Sequence, residues 1–460
     1  MIQPYHLNDL MTFRTALIPA AFVLMSLAGC ASYSAHPLDL ALPLHRSLGA
    51  MNHTLPGGRV IDIGGALSAQ DIGGLALLND PTLQAARAQR NVAGAAFFAA
   101  GLLPDPQVGL GFMALLGGPG SAPSITGSIS QDIGALITYR VRLASARAGV
   151  QKVNADLLWQ EWQTLARAET LAVAVYADQQ SVHALDEQRR LLGSLAANTQ
   201  AAVQAGNLRL DESAPSAAAL AGVDTALDTA RHQLLSDQSA LDAMLDLSPD
   251  IVLNIAAPDF PAIPAAYMAN HLADLAQRRP DLIALQLGYA QSDADLRAAI
   301  LTQFLPLSLG LTGGSDTSQV NSLGPNVTLN LPIFNGNRGN IAVARATRTQ
   351  LRVQFKASLA GAQSQADTAY ADLAQLDDEL QRAADARDGA EDAARQARQA
   401  YQGNNIDARS YVDLATAAEA RDLEFIALSQ RLQTGRIALA GLLGIGLPPV
   451  TIADFTKAKP

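Results

Sequence analysis

Gln107-Val108-Gly109-Leu110-Gly111-Phe112 and, 200 residues later, Leu307-Ser308-Leu309-Gly310-Leu311-Thr312 share one pattern. In both, apolar side chains alternate with small or polar ones, the period of a strand whose two faces meet different surroundings. Each is followed by a second alternating run: Ser124-Ile125-Thr126-Gly127-Ser128-Ile129-Ser130 in one case, Asn326-Val327-Thr328-Leu329-Asn330-Leu331 in the other. Gly117-Gly118-Pro119-Gly120 and Gly313-Gly314-Ser315 separate the members of each pair, so each pair reads as a hairpin.

Outward from the hairpins the chain repeats itself. Asp80-Pro81-Thr82-Leu83 and Arg279-Pro280-Asp281-Leu282 each open a helical stretch rich in Ala and Gln. These stretches stop at Gly101-Leu102-Leu103-Pro104 and Gln303-Phe304-Leu305-Pro306. Behind each hairpin a helix of more than sixty residues begins near Leu136 or Ile341 and runs to Gly206-Asn207 or Gly403-Asn404-Asn405. Return helices end near Leu245 and Leu443. The offset stays near 200 from end to end. The chain therefore divides into a first repeat over 79–247 (hairpin 105–132, tip near 206) and a second over 275–446 (hairpin 306–333, tip near 403). A link over 248–274 joins them, and segments 30–78 and 447–460 flank them.

In the second long helix one heptad seam is Ala366, Leu373, Leu380, Arg387, Ala394, Tyr401, and the other is Ala369, Leu376, Ala383, Ala390, Ala397. Small seam residues favour close coiled-coil packing, and Arg387 is the misfit. A helix of ~65 residues spans ~100 Å, more than a compact domain needs. Four strands cannot close a wide barrel, and a sheet edge in lipid cannot stay unpaired, so several chains must contribute.

The 460 residues are 49% hydrophobic but 5% aromatic, a composition that suits long helices lying close together. A formal charge of −10 argues against nucleic acid as a partner. One cysteine excludes an internal disulfide and a Cys-based zinc site, and the seven histidines lack ligand spacing, so no metal or other cofactor is expected. His36, His45 and His53 precede the first repeat without ligand geometry. No nucleophile–base or paired-carboxylate constellation stands out, so the chain is not expected to be an enzyme.

Arg14, an apolar run over 16–25 and the small residues after it describe a secretory signal peptide over 1–29. Leu27-Ala28-Gly29-Cys30 resembles a bacterial lipobox, whose cysteine carries lipid; Ala31 lacks the aspartate that retains lipoproteins at the inner membrane. Lipid at Cys30 would anchor the chain without a spanning helix, at ~0.8 kcal/mol per buried CH₂.

In this order, and duplicated, the motifs identify a resemblance to the TolC-like outer-membrane factors of tripartite efflux and secretion systems. Arg279-Pro280-Asp281-Leu282, the hairpin before Leu331-Pro332-Ile333-Phe334-Asn335-Gly336 and the tip at Gln402-Gly403-Asn404-Asn405 carry it. Gly101-Leu102-Leu103-Pro104-Asp105-Pro106 and the run from Pro332 to Ala342 resemble the heavy-metal, CzcC-like branch. The resemblance implies a mainly α fold with a membrane β-barrel portion. Three chains would complete a twelve-stranded β-barrel and a periplasmic α-barrel, with an equatorial region from 30–78, 248–274 and 447–460. It implies a homotrimer in outer-membrane lipid, a periplasmic adaptor, an inner-membrane pump of the resistance-nodulation-division type, and passive export.

The resemblance also places candidate residues. Asp413, in Tyr411-Val412-Asp413-Leu414, stands where relatives carry the acids that constrict the periplasmic aperture, with Asp407 as a second candidate; Thr416 replaces the second acid of some members. Gly206 and Asn207, with Gly403, Asn404 and Asn405, are the candidate adaptor-docking tips, and Gly-Asn is also what any tight helix-helix turn uses. Gly336 and Gly339 suit the strand-to-helix turn. A channel-free coiled-coil lipoprotein would account for the leader and heptads but not for duplicated hairpins; a type I secretion channel is the other alternative.

Overall fold

The computed structural model describes residues 33–38, 40, 44–303, 307–329 and 333–450. The leader, the lipobox with Cys30 and residues 451–460 lie outside the described residues. Met1–Leu44 is a unit of its own, and its described residues form no helix or strand. The second unit, His45–Pro460, carries the regular structure found among the described residues. Among the described residues no helix is long and apolar enough to cross a membrane.

The second unit starts with α1 (Ala69–Asn79) and α2 (Pro81–Gly101), followed by β1 (Gln107–Met113), β2 (Ser124–Asp132), the long helix α3 (Ile133–Gln204) and the return helix α4 (Leu210–Leu245). After the short helices α5 (Ala265–Ala273) and α6 (Leu275–Arg278) the order recurs: α7 (Pro280–Thr302), β3 (Leu307–Ser315), β4 (Asn321–Leu329), α8 (Arg338–Gln402) and α9 (Ala408–Leu443). The glycines at 313 and 314 belong to β3 itself, so the second hairpin turns at 316–320, later than its Gly-Gly-Ser suggests.

The strands form one antiparallel sheet in the order β1-β2-β3-β4. Beside it the helices contact in matching order, α2 on α3, α3 on α7, α7 on α8. Farther along, α4 packs on α3, α3 on α9 and α9 on α8. Only α3 and α8 therefore serve both levels. At 72 and 65 residues they extend ~110 and ~100 Å at ~1.5 Å per residue.

The largest core sits at the middle of α3. Ile72, Leu75 and Ala76 of α1 pack with Ala168, Ala172, Val173 and Val175 of α3, Leu241 and Leu245 of α4, and Leu247, Leu253 and Ile255 of the link. A second core lies at the middle of α8, where Met268 of α5 meets Ala366, Leu373, Leu432 and Leu439. The link is tied there by its backbone: Phe260 N–H donates to Gln433 Oε1 at 2.9 Å, and Phe260 O accepts from Arg436 Nη1 at 2.8 Å. His45 lies beside Leu247 in a backbone bridge, and a ring nitrogen of His53 is 3.0 Å from Met51 O; no metal-holding cluster exists among the described residues.

At the entrance to α8, Gly336 (φ 51°) and Asn337 (φ 56°) are both left-handed. Gly339 lies inside the helix and takes no part in the turn, because Asn tolerates the left-handed region. Asn337 Nδ2 donates to Ala299 O at 2.7 Å, fastening the turn to the end of α7.

Candidate functional site

Register sorts the sheet residues by chemistry. Val108, Ile129, Leu311 and Pro325 form one cross-strand row; Leu110, Gly127, Gly313 and Leu323 form the next. Both rows lie on one face, together with Phe112, Ile125, Leu309 and Val327. The opposite face carries Gly109, Ser128, Thr312 and Gly324 in one row and Gly111, Thr126, Gly314 and Ser322 in another. One face is thus apolar and the other small and hydroxylic. The apolar face is bare: Leu110 is 88% exposed, Val108 69%, Phe112 68% and Leu323 75%.

Glycine is required on the small face of β3. A Cβ at Gly310 would stand 2.6 Å from the carbonyl oxygen of Ile129, and one at Gly314 would strike that of Ile125. At Gly109 and Gly111 of β1 it would meet only the side-chain hydroxyls of Ser128 and Thr126. The outer edges of β1 and β4 have no strand partner among the described residues. An open sheet edge is a ready template for pairing with another strand, and a bare apolar face of this kind suits a non-aqueous or protein surround.

Both tips are the same turn. Gly206 is left-handed (φ 75°) after α3, with Gly206 N–H donating to Val203 O at 3.0 Å and Asn207 N–H to Ala202 O at 2.9 Å. After α8 the left-handed residue is Asn404 (φ 57°), with its N–H on Tyr401 O at 3.0 Å and Asn405 N–H on Ala400 O at 2.8 Å. These are Schellman bonds on the last helical carbonyls. Gly206 therefore matches Asn404, and Asn207 matches Asn405, one residue out of step with the Gly-Asn dipeptides. Gly403 has φ −84° and needs no glycine freedom.

Asp407 caps α9: its carboxylate accepts Ser410 N–H at 2.8 Å, and hydrogen bonding from the Ser410 side chain first, then from its backbone N–H, holds the Asp407 pKa below the usual carboxylate value. Asp413 lies six residues further, ~120° around the helix at ~100° per residue, so the two acids do not share a face. Asp413 is exposed, without an ion-pair partner among the described residues, while Tyr411 and Val412 beside it are buried. Tyr411 stacks on Tyr401 with ring centroids 5.2 Å apart, which fixes the face of α9 that carries Asp413.

Arg387 is accommodated by a cavity of about 360 Å³ between α3, α8 and α9, lined by Glu187, Asp422 and Phe425 among others. Its guanidinium lies over the Phe425 ring, 4.2 Å from the centroid, and bonds Asp388 at 2.9 Å. Burial pushes Asp422 up, with Arg387 pulling it partly back. Three further acids escape a sequence reading. Burial pushes Glu169 up to about 7 and Asp242 up to about 6; Asp178 is pushed up to about 7 by burial and by the neighbouring Asp237. The signal available was a carboxylate inside an Ala/Val run, as in Ala168-Glu169-Thr170-Leu171-Ala172.

No family model matches the sequence, and no curated protein matches it. Solved structures do. The CmeC outer membrane channel of Campylobacter jejuni is similar with a TM-score of 0.70 at 15% identity, over 93% of this chain and 98% of that one. This is the TolC-like fold. CusC, a transmembrane channel, aligns with a TM-score of 0.67 at 16% identity over 88% of this chain and 100% of its own. The open-state MtrE outer membrane channel of Neisseria gonorrhoeae gives 0.66 at 18% identity over 92% and 99%. A TolC-like fold accounts for the two-faced sheet, the matching order of strands and helices, and the paired tips. These likenesses do not separate a CzcC-like branch from the rest.

Proposed function

We propose that the chain is one subunit of an outer-membrane exit duct that passively passes substrates delivered by an inner-membrane pump and a periplasmic adaptor. The two-faced, open-edged sheet carries this reading: its apolar face suits lipid, its hydroxyl face suits water, and its edges suit two further copies in a homotrimer. The helices then belong to a periplasmic α-barrel, girdled at mid-height by an equatorial region from 30–78, 248–274 and 447–460. Cys30 is the lipid attachment, and the duct itself needs no cofactor and performs no chemistry.

Within the duct, Asp413 of three chains forms a carboxylate ring at the aperture, and Asp407 supports it by capping the helix that carries it. Like charges across a narrow pore repel one another and attract cations. Gly206, Asn207, Gly403, Asn404 and Asn405 form the surface presented to the adaptor. Planar-bilayer recording tests the duct: discrete conductance steps are expected, and their absence favours a channel-free lipoprotein. Asp413→Ala should raise conductance and weaken cation block; unchanged values remove Asp413 from the gate. A bulky substitution at Asn207 or Asn405 should abolish efflux while leaving trimers intact.

A further inference from the structure

The first turns of α3 and α8 have a charge pattern that the duct reading does not use. Residues 133–155 contain four Lys/Arg and no Asp or Glu, and residues 338–366 contain five and none; the first acids are Asp156 and Asp367. Aligned from their helix starts, α3 and α8 place Arg140 opposite Arg345 and Arg147 opposite Arg352, so both copies of the repeat carry this pattern.

The arginines lie on an open face. On α8, Arg338, Arg345, Arg352 and Lys356 fall within ~40° of one another at ~100° per residue. Asn340, Ala344, Thr347 and Leu351, on the opposite side, face a cavity shared with α3 and α7. Arg348, between the two faces, is taken by Asp293 at 2.8 Å. Arg140, Arg338, Arg345, Arg352 and Lys356 are exposed and make no ion pair among the described residues. The same face is apolar towards the sheet: Leu136 and Ile137 precede Arg140 and are 36% and 40% exposed, while Ile333 and Phe334 precede Arg338 and are 76% and 93% exposed. Bare Leu, Ile and Phe between the sheet and the arginines do not suit a water-filled lumen. Cations one or two turns beyond them lie at the depth of lipid headgroups. Arg140, Arg338 and Arg345 start within ~11 Å of the helix beginnings at ~1.5 Å per residue, whereas Arg352 and Lys356 are ~21 and ~27 Å along.

Resting on the exit-duct reading for the placement of the sheet in lipid, we propose that Arg140, Arg338 and Arg345 form a belt that docks anionic phospholipid headgroups where the barrel meets the periplasm. Arginine suits the phosphate because its planar fork donates two parallel hydrogen bonds. Arg352 and Lys356, more than a Debye length of ~8 Å beyond, contribute little.

The full-length protein in phosphatidylcholine vesicles, with spin-labelled phosphatidylglycerol or spin-labelled phosphatidylcholine as probe, tests this. The parent should favour phosphatidylglycerol at its boundary, by up to about fivefold per cation. The Arg140→Gln/Arg338→Gln/Arg345→Gln variant should bring that preference close to one, Arg352→Gln/Lys356→Gln should barely change it, and Arg345→Lys should keep most of it. An undiminished preference in the triple variant overturns the belt. So does complete displacement of the lipid by millimolar inorganic phosphate, which would mark a simple anion site. A shifted reversal potential in the triple variant also overturns it, by placing the arginines in the lumen. Parent conductance in phosphatidylcholine bilayers is read separately: conductance without lipid preference ends the belt alone, and lipid preference without conductance ends the duct alone.

Discussion

Fifteen residues of α3 are buried and only five of α8, although the two helices occupy equivalent places in a duplicated order. α3 has neighbours on both sides at both levels: α2 and α7 beside the sheet, α4 and α9 beyond it. Among the long helices α8 has neighbours on one side only, α7 and then α9, with the short α5 and α6 touching it at mid-length. Its buried residues are Ala362, Ala366, Leu373, Ala383 and Ala397, so it touches the rest of the chain through a thin line of small side chains. Duplication produced two copies of one unit, and folding made one the spine and the other the margin. The bare side of α8, with Val353 exposed at 62%, is on the same edge of the molecule as the unpaired edge of β4.

The contrast between the hairpins is the easiest to break. Gly310→Val drives a side chain into the Ile129 carbonyl of the neighbouring strand and should abolish the proposed trimer on semi-native gels. Gly109→Ala, facing only the Ser128 Oγ, which a χ1 rotation turns aside, should leave most of it. The contrast between the helices comes next. Leu192→Ala, in fully buried α3 surroundings, should cost about 2–5 kcal/mol in denaturant unfolding. Val353→Asp on the margin should leave protomer helicity unchanged by circular dichroism and weaken only assembly, measured by sedimentation.

A smaller effect is read by pH: burial raises Glu419 and Asp422 in the second half as well, but the large upward shifts fall in the first. Glu169, Asp178 and Asp242, all in the first half, have carboxyl pKa values raised in the folded state by burial. The unfolded chain loses these protons near pH 4, so the folded chain holds more of them from about pH 4 to 7. Stability is therefore greatest at the acid end of that window, falls as pH rises through it and levels off above about 7. Asp178→Asn should flatten part of the slope in thermal melts, and an unchanged slope would exclude Asp178 as its source. The smallest change is expected at Arg387→Leu, which restores the heptad but empties the Phe425 stack; the two effects oppose, so the melting midpoint should move by only a few degrees.

The fold class was legible because strand alternation and a constant offset survive in the sequence even where identity is low. The two Gly-Asn tips do not match residue for residue, since Asn404 adopts a conformation that sequence logic reserves for Gly403. The Gly-Gly of β3 was read as a turn because close strand packing and chain reversal both favour glycine. Of the candidate site, Asp407 had a cap role visible in its position before the helix, with Ser410 three residues on. The buried acids were hidden for a different reason. A helical Asp or Glu reads as solvated until the neighbouring helix is known, and that neighbour comes from tens of residues away.

The two open edges of the sheet also constrain the order of events in biogenesis. A lone subunit entering lipid would carry the unsatisfied backbone groups of β1 and β4 with it, at several kcal/mol each. In the proposed duct, insertion would therefore wait for encounter, and its rate should climb steeply with the surface density of subunits. A tether at Cys30 would confine those encounters to two dimensions and raise the effective concentration. In that case its kinetic contribution precedes any part it plays in holding the finished channel.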